Sequence, residues 1–260
     1  MPFADVNGQH LFYEDSGGDG SAVLFSHGFL MDHEMFAPQV AALAPEFRVV
    51  TWDERGFGDT EFDGKPFTYW DSARDCLGLL DHLGLEEAVV GGMSQGGYLS
   101  LRVALLAPER VRALVLIDTQ AAAEHPARAS LYQDMLDTWV SEGPSDALAE
   151  VVAGIIIDDP TLNGPWIAKW QARPPETLLE PTRCLLGRDD ITNRLGEIKC
   201  PALVIHGTKD VAVEMESAQR LAAGLSGCRG VVAVEGAAHA ANLTHPDQVN
   251  PPLLAFLRGL

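Results

Sequence analysis

The chain has 260 residues, of which 47% are hydrophobic, and carries a formal net charge of −19 at pH 7. Because this charge repels phosphate backbones and anionic lipid headgroups, we expect neither nucleic-acid nor membrane binding. The first residues show no basic segment followed by an apolar one, and no run of about 18 apolar residues occurs, which predicts a soluble cytoplasmic protein with one globular core. A homo-oligomer is possible.

Short apolar, β-branched runs alternate along the chain with longer segments of helical period. We predict strands at residues 9–13, 22–26, 48–52, 88–91, 113–117, 202–206 and 230–234. We predict helices at residues 35–43, 69–83, 95–106 and 215–225, with a last one at the carboxyl end. This alternation is typical of an α/β fold with a mostly parallel sheet.

One region interrupts the alternation of strands and helices. Between residues 121 and 199 the sequence predicts no strand. It predicts helices at residues 129–140, 145–156, 166–171 and 176–186, separated by GP, DDP, RPP and GRDD breaks. We therefore expect a helical cap, or lid, at residues 121–199, inserted into a core domain made of residues 1–120 and 200–260.

The stretch Gly92-Met93-Ser94-Gln95-Gly96 fits the pattern G-x-S-x-G and lies between a predicted strand and a predicted helix. So sharp a turn strains the backbone at the serine, and small residues two positions before and after it remove the clashes. The backbone N–H of Gln95, at the start of the helix, is then free to donate to an oxyanion. The pattern predicts that Ser94 is a nucleophile.

A serine hydroxyl is a poor nucleophile at neutral pH, so it needs a histidine base and a carboxylate that orients the base. The segment PALVIHGTKD runs a strand into a turn that ends at Asp210, and VVAVEGAAHA runs the last strand into a loop with His239. Both residues follow the carboxyl ends of strands, where ligand sites of open α/β sheets lie. We predict a triad of Ser94, His239 and Asp210, with Asp118 as an alternative acid.

The loop Ser26-His27-Gly28-Phe29-Leu30 is expected to supply a second oxyanion donor. Gly28 would let the backbone bend so that the amide of Phe29 points to the same place as that of Gln95. Apolar side chains near this place and in the cap predict a pocket for a neutral acyl or aromatic group. The candidates are Leu30, Met31, Met93, Trp139, Trp166 and Trp170. The tryptophans could equally bind the cap to the core.

These motifs together resemble the α/β-hydrolase fold superfamily. The resemblance covers nearly the whole chain and includes HGF at residues 27–29, DERGFG at residues 53–58, GMSQGG, GTKD and GAAHAANL. The segments LLDHLGL and PERVRALVLIDT resemble the branch of small esterases, perhydrolases and 3-oxoadipate enol-lactonases. The resemblance implies an eight-stranded, mostly parallel sheet flanked by helices, a helical cap and no cofactor. The four scattered cysteines lack the spacing of metal ligands, so we expect no metal site either.

We interpret the chain as a serine hydrolase that cleaves a carboxylic ester or lactone through an acyl-enzyme on Ser94. Two alternatives stay open: a cofactor-free perhydrolase or haloperoxidase-type enzyme, in which peroxide replaces water, and a non-enzymatic sensor that binds a small molecule in the hydrolase pocket. The net charge disfavours an anionic lactone, although three cap arginines could reverse the field locally: Arg173, Arg183 and Arg194.

Overall fold

The computed structural model describes residues 3–260, and its eight strands form a single sheet. The strands are β1 (Phe3–Val6), β2 (Gln9–Asp15), β3 (Ala22–Ser26), β4 (Arg48–Trp52), β5 (Ala88–Met93), β6 (Val111–Ile117), β7 (Ala202–Gly207) and β8 (Cys228–Val234). Their order across the sheet is β1-β2-β4-β3-β5-β6-β7-β8. Only the pairings of β2 with β1 and β4 are antiparallel. The predicted fold class is confirmed.

The residue pattern does not predict the first strand, β1. It contains only four residues, which is too few for a clear alternation of apolar and polar side chains. The signal lay in the turn that follows it, because Asn7 and Gly8 have φ angles of 50° and 78°. An Asn-Gly pair with positive φ angles is the preferred two-residue connection of a β-hairpin, and it pairs β1 with β2.

Within residues 3–260, six α-helices lie outside the segment between β6 and β7, and they cover both faces of the sheet. They are α1 (Ala37–Leu43), α2 (Tyr69–His82), α3 (Gln95–Leu106), α8 (Met215–Gly224), α9 (Ala241–Thr244) and α10 (Pro246–Arg258). Side chains of α2, α3 and α8 pack in one hydrophobic cluster with Leu24, whereas those of α1 and α10 pack in a second cluster with Val23 and Phe25. Neighbouring residues of β3 thus face opposite layers, as the period of a strand requires.

The segment between β6 and β7 contains four α-helices: α4 (Pro126–Glu142), α5 (Asp146–Ile156), α6 (Pro160–Ala172) and α7 (Leu179–Leu186). The start of α6 differs from the predicted residue 166. Asp159 caps this helix by accepting a hydrogen bond from the N–H of Thr161 at 2.7 Å, and Pro160 occupies its first position. The DDP sequence is therefore a helix start rather than a break. The division of the chain into a core and a cap domain stays a prediction.

No helix within residues 3–260 is long and apolar enough to cross a membrane. Helices α4, α5 and α6 share the second hydrophobic cluster with the sheet, whereas Cys184 of α7 packs in the first cluster. Trp139 of α4, Val152 of α5 and Trp170 of α6 are almost fully buried there together with Phe25 of β3. The helices of the insertion are thus part of the same core as the strands.

The close approach of α3 to β3 depends on glycine. A Cβ atom on Gly96 would overlap the backbone carbonyl of Ser26, which cannot move without disturbing the sheet. A Cβ atom on Gly92 would similarly overlap the backbone of Gly96 and the carbonyl oxygen of Ser26. Only hydrogen at these positions lets the first turn of α3 lie directly against the strands.

Gly96→Ala should therefore lower the free energy of unfolding by about 1–3 kcal/mol, because the added methyl group has no room. Urea denaturation measures this. Gly154→Ala is the matched control: Gly154 is exposed in α5 with no atom near its Cβ position, so this variant should gain about 0.5–1 kcal/mol from its better helix propensity. Equal stability of Gly96→Ala and the parent protein would contradict the packing described.

Candidate active site

Ser94 lies on a strained turn between β5 and α3. Its φ of 52° and ψ of −112° are unusual for a residue with a side chain. Two hydrogen bonds hold this conformation: the N–H of Ser94 donates to the carbonyl of Ile117 at 2.9 Å, and the hydroxyl of Thr119 donates to the carbonyl of Ser94 at 2.7 Å. The neighbouring strand β6 and the loop after it thus fix the serine at the carboxyl end of β5.

Ser94, His239 and Asp210 form one hydrogen-bonded chain. Nε2 of His239 lies 2.9 Å from Oγ of Ser94, and Nδ1 of His239 lies 2.7 Å from Oδ2 of Asp210. All three residues are buried. An ionised carboxylate only accepts hydrogen bonds, so His239 must carry its hydrogen on Nδ1, and its Nε2 is left to accept from the serine hydroxyl. The structure brings together the three residues of the predicted triad, in the tautomer that a general base needs.

The surroundings of Asp210 favour its ionised form. Oδ1 of Asp210 accepts hydrogen bonds from the N–H groups of Ala212 at 2.8 Å and Val213 at 2.9 Å. Burial raises the pKa of Asp210, but His239, the N–H of Val213 and the charge of His206 outweigh burial and hold the pKa below its usual range. Burial likewise lowers the pKa of His239, and the charge and hydrogen bond of Asp210 raise it above the ordinary histidine value. His239 is therefore a stronger base than a free histidine.

The alternative acid, Asp118, is fully buried but makes no hydrogen bond to His239. Its Oδ1 accepts from the N–H of Gly207 at 2.7 Å, and its Oδ2 accepts from the N–H of Ala241 at 3.0 Å. Burial, reinforced by the charge of Asp210, raises the pKa of Asp118 well above its usual range. Asp118 therefore connects the turn that carries Asp210 to the loop that carries His239, and the geometry favours Asp210 as the partner of the histidine.

The two amides predicted to bind an oxyanion are both without an acceptor. Neither the N–H of Phe29 nor that of Gln95 donates a hydrogen bond to any residue between 3 and 260. The loop of Phe29 is held by His27, whose Nδ1 donates to the carbonyl of Gly28 at 2.8 Å and whose Nε2 accepts from the N–H of Glu54 at 2.9 Å. Both amides are thus available, while their role in binding an oxyanion stays a prediction.

Ser94 and His239 line a cavity of about 80 Å³ whose other walls are mostly apolar. Among the predicted pocket residues, Leu30 and Met93 line this cavity, as does Phe29. Helices α4 and α5 supply much of the remaining apolar wall, which residue type alone could not reveal because it depends on how the helices are oriented. The cavity also contains four polar side chains that the sequence reasoning missed: Tyr98, Glu124, Tyr132 and Arg188.

The structure places Met31 and the three tryptophans away from this cavity, which corrects the expectation that they line it. Trp139 and Trp170 pack edge to face with ring centroids 6.0 Å apart, and Nε1 of Trp170 donates to the carbonyl of Leu30 at 2.7 Å. With Met31 they line a smaller neighbouring space. Trp166 contacts the ammonium group of Lys169. Trp170, packed on Trp139, binds the insertion to the loop after β3, which is the alternative that the sequence left open.

The three arginines singled out between β6 and β7 also lie outside the cavity of Ser94. Arg173 donates to the carbonyls of Gly56 and Gly58. Arg183 pairs with the buried Glu180 and Arg194 with the exposed Glu197, each within its own helical turn. The arginine that does line the cavity is Arg188, in the GRDD sequence. GRDD is predicted as a helix break and belongs to a segment that resembles the family, but nothing in its pattern shows which way Arg188 points.

Comparisons with known proteins agree with the geometry. A family model described as the alpha/beta hydrolase fold matches residues 21–246. The chain is 30% identical, over 98% of its length and 98% of the relative's, to the provisionally named carbamate hydrolase RutD of Azorhizobium caulinodans. Two solved structures are each 29% identical to this chain. The enol-lactonase from Burkholderia xenovorans LB400 has a TM-score of 0.90, covering 99% of this chain and 100% of the other. The thermophilic esterase from Thermogutta terrifontis has a TM-score of 0.88, covering 96% of this chain and 94% of the other.

Replacing the acid should separate the roles of the two aspartates. Asp210→Asn removes the charge that orients His239, so we expect kcat to fall by about 10⁴-fold. Asp118→Asn turns an amide NH₂ toward a backbone N–H, so it should lower the melting temperature and reduce kcat much less. Steady-state kinetics on folded protein measure both. A greater loss of kcat in Asp118→Asn would identify Asp118 as the acid.

The pH dependence of turnover should report the titration of His239. Since the base must be neutral, kcat/KM should rise with pH and reach half its maximum above the ordinary histidine pKa of about 6.5. Asp210 raises the pKa of His239, so in Asp210→Asn the midpoint should move to lower pH. A profile that is flat between about pH 5 and pH 8 would contradict a histidine base.

Proposed function

Since the chain belongs to the α/β-hydrolase fold family, we propose that this hydrolase cleaves a carboxylic ester or lactone through an acyl-enzyme on Ser94. The observation that carries the proposal is the hydrogen-bonded chain from Ser94 through His239 to Asp210, at the wall of an apolar cavity. A nucleophile, a base and an orienting carboxylate are what acyl transfer at a serine requires.

In the proposed first step, Oγ of Ser94 attacks the substrate carbonyl while Nε2 of His239 takes the hydroxyl proton. Asp210 stabilises the imidazolium that forms, because its carboxylate accepts the hydrogen bond from Nδ1. The developing oxyanion binds the free amides of Phe29 and Gln95. Losing one such donor costs about 3 kcal/mol in well-studied enzymes, so the pair of amides supplies much of the transition-state stabilisation.

The tetrahedral intermediate then collapses, and His239 protonates the leaving alcohol. Water enters, gives a proton to His239 and attacks the acyl-enzyme, which releases the acid and restores the hydroxyl of Ser94. In a lactone the leaving alcohol remains tethered to the acyl group. Deacylation must therefore be faster than reclosure of the ring.

The apolar wall of the cavity favours small neutral substrates over large or polyanionic ones. The two similar solved structures are an esterase and an enol-lactonase, which supports an ester or lactone carbonyl. The name of the curated relative raises carbamates as a second candidate, since a carbamate is also an acyl carbon with a heteroatom leaving group. Peroxide in place of water would give perhydrolysis by the same steps.

A non-enzymatic sensor fits the site less well. Binding alone requires neither a strained serine nor a buried hydrogen-bonded base and acid beside two free amides. Such groups are costly to bury and are found where chemistry uses them. We therefore favour an enzyme.

Ser94→Ala should lower kcat by about 10⁶-fold, leaving only the contribution of binding and the oxyanion donors. An organophosphonate should add once to the parent chain, at Ser94, and not to the variant. The test is a screen of p-nitrophenyl esters, lactones and carbamates, in water and with peroxide.

Ser72→Ala is the matched control for that screen. Ser72 is a buried serine of α2 whose hydroxyl has no partner within residues 3–260. Its kinetics should equal those of the parent. Comparable turnover in Ser94→Ala, or a parent protein that acts on none of these substrates, would contradict the proposal.

A further inference from the structure

Four polar side chains interrupt the apolar wall of the cavity; we call Tyr98, Glu124, Tyr132 and Arg188 the polar cluster. Nη2 of Arg188 lies 3.1 Å from Oε2 of Glu124, and the side chains of these residues are only 2% and 6% exposed. The guanidinium carbon of Arg188 lies 4.5 Å from the ring centroid of Tyr98. A buried ion pair stacked on an aromatic ring thus forms part of the cavity that holds the nucleophile.

The polar cluster lies close to the reacting centre. Tyr98 follows Ser94 by four residues, and its N–H donates to the carbonyl of Ser94 at 3.1 Å. Ser94, Tyr98 and Arg188 line the same cavity. Since the guanidinium of Arg188 stacks on the ring of Tyr98, the two side chains form one continuous part of the wall that holds the nucleophile. A substrate whose carbonyl reaches Ser94 would extend to the cluster within a few bonds.

The polar cluster has hydrogen-bonding capacity that the protein does not use. Arg188 donates to the carbonyls of Ala122 and Leu185 and to Glu124, which accounts for three of the five guanidinium N–H groups. Neither hydroxyl, of Tyr98 or of Tyr132, has a hydrogen-bond partner in the part of the chain from residue 3 to 260. Two N–H groups of Arg188 and the two tyrosine hydroxyls, each of which can donate and accept, therefore remain for a molecule in the cavity.

Stability does not explain a charged pair at this place. Burying two charges costs several kcal/mol per ion, and apolar side chains of similar size are often as stabilising as a buried ion pair. In a pocket that binds an acyl group, apolar side chains would also bind a hydrocarbon chain better than this ion pair does. The pair has no net charge. Arg128, whose Nε lies 3.9 Å from Oε1 of Glu124, also pairs with Glu214 at 2.8 Å, so these four charged groups together are neutral. A neutral group that both donates and accepts hydrogen bonds matches this arrangement best.

We propose that the polar cluster is a substrate subsite that selects esters or lactones with a second, neutral hydrogen-bonding group, such as an amide or a hydroxyl. This inference rests on the proposed function, because it concerns the substrate of the Ser94 site. A substrate that fills the subsite satisfies the free donors of Arg188 and the tyrosines. A plain alkyl chain leaves them buried and unpaired, which a polar site disfavours strongly.

The experiment compares p-nitrophenyl esters of equal shape that differ only at the far end of the acyl chain: adipamate (neutral amide), 6-methylheptanoate (apolar) and the adipate half-acid (carboxylate). The same three ends are also placed on the alcohol of an acetate ester, so that either half of the substrate can reach the subsite. In at least one set we expect kcat/KM for the amide to exceed both others by about tenfold or more. Ser94→Ala is the blank.

Two variants assign that preference to the polar cluster. Arg188→Met should remove the preference for the amide, and Tyr98→Phe, which deletes a single hydroxyl, should reduce it severalfold even if Arg188→Met does not fold. Arg194→Met is the control, because Arg194 is exposed and pairs with Glu197 away from the cavity. It should keep the preference of the parent.

The other outcomes overturn the inference in distinguishable ways. Equal or better cleavage of the apolar ester in both sets would show that no polar subsite exists, while leaving the proposed function intact. A preference for the half-acid would indicate an anion site instead. An amide preference that survives in both Arg188→Met and Tyr98→Phe would place the subsite elsewhere. If no ester shows turnover that depends on Ser94, the proposed function itself fails and this inference fails with it.

Discussion

The site depends on how closely the first turn of α3 approaches the strands beneath it. Ser94 keeps its strained backbone because glycine on either side lets the helix lie against the carbonyl of Ser26, where a methyl group would overlap. The same approach leaves the amide of Gln95 at the open end of the helix and puts Tyr98 next to the nucleophile. A tightly packed interior is what makes such a conformation persist, since the surrounding contacts determine it more strongly than the local strain opposes it.

Parallel strand pairing then assembles the remaining groups. The loops after β7 and β8 leave the sheet at the same edge as the serine turn, and they carry Asp210 and His239. Asp118, at the end of β6, accepts backbone hydrogen bonds from both loops and so fixes the distance between acid and base. The insertion contributes the remaining contact, because Nε1 of Trp170 donates a hydrogen bond to the carbonyl of Leu30 in the loop that carries Phe29. Groups distant in the sequence are thus positioned by a few backbone contacts.

What the sequence could predict follows from how local each signal is. The turn around Ser94, the helices and most strands could be predicted because their patterns lie in neighbouring residues. The triad could be predicted because Ser94, Asp210 and His239 each follow the end of a predicted strand. The strand Phe3–Val6 could not be predicted because four residues are too few to show an alternating pattern. The start of α6 could not be predicted because Asp159 and Pro160 fit a helix start as well as a loop. Which tryptophan or arginine faces the cavity depends on helix rotation and tertiary packing, so Arg188 could not have been found from its neighbours.

The central claim is that the acid product forms by way of an acyl-enzyme. The most direct test uses two esters that share the acyl group but differ in the leaving alcohol, each hydrolysed in water containing methanol. If both pass through the same acylated Ser94, the ratio of methyl ester to acid is identical for the two substrates, because water and methanol compete for one intermediate. A ratio that changes with the leaving alcohol would mean that water attacks the substrate directly and would contradict the account.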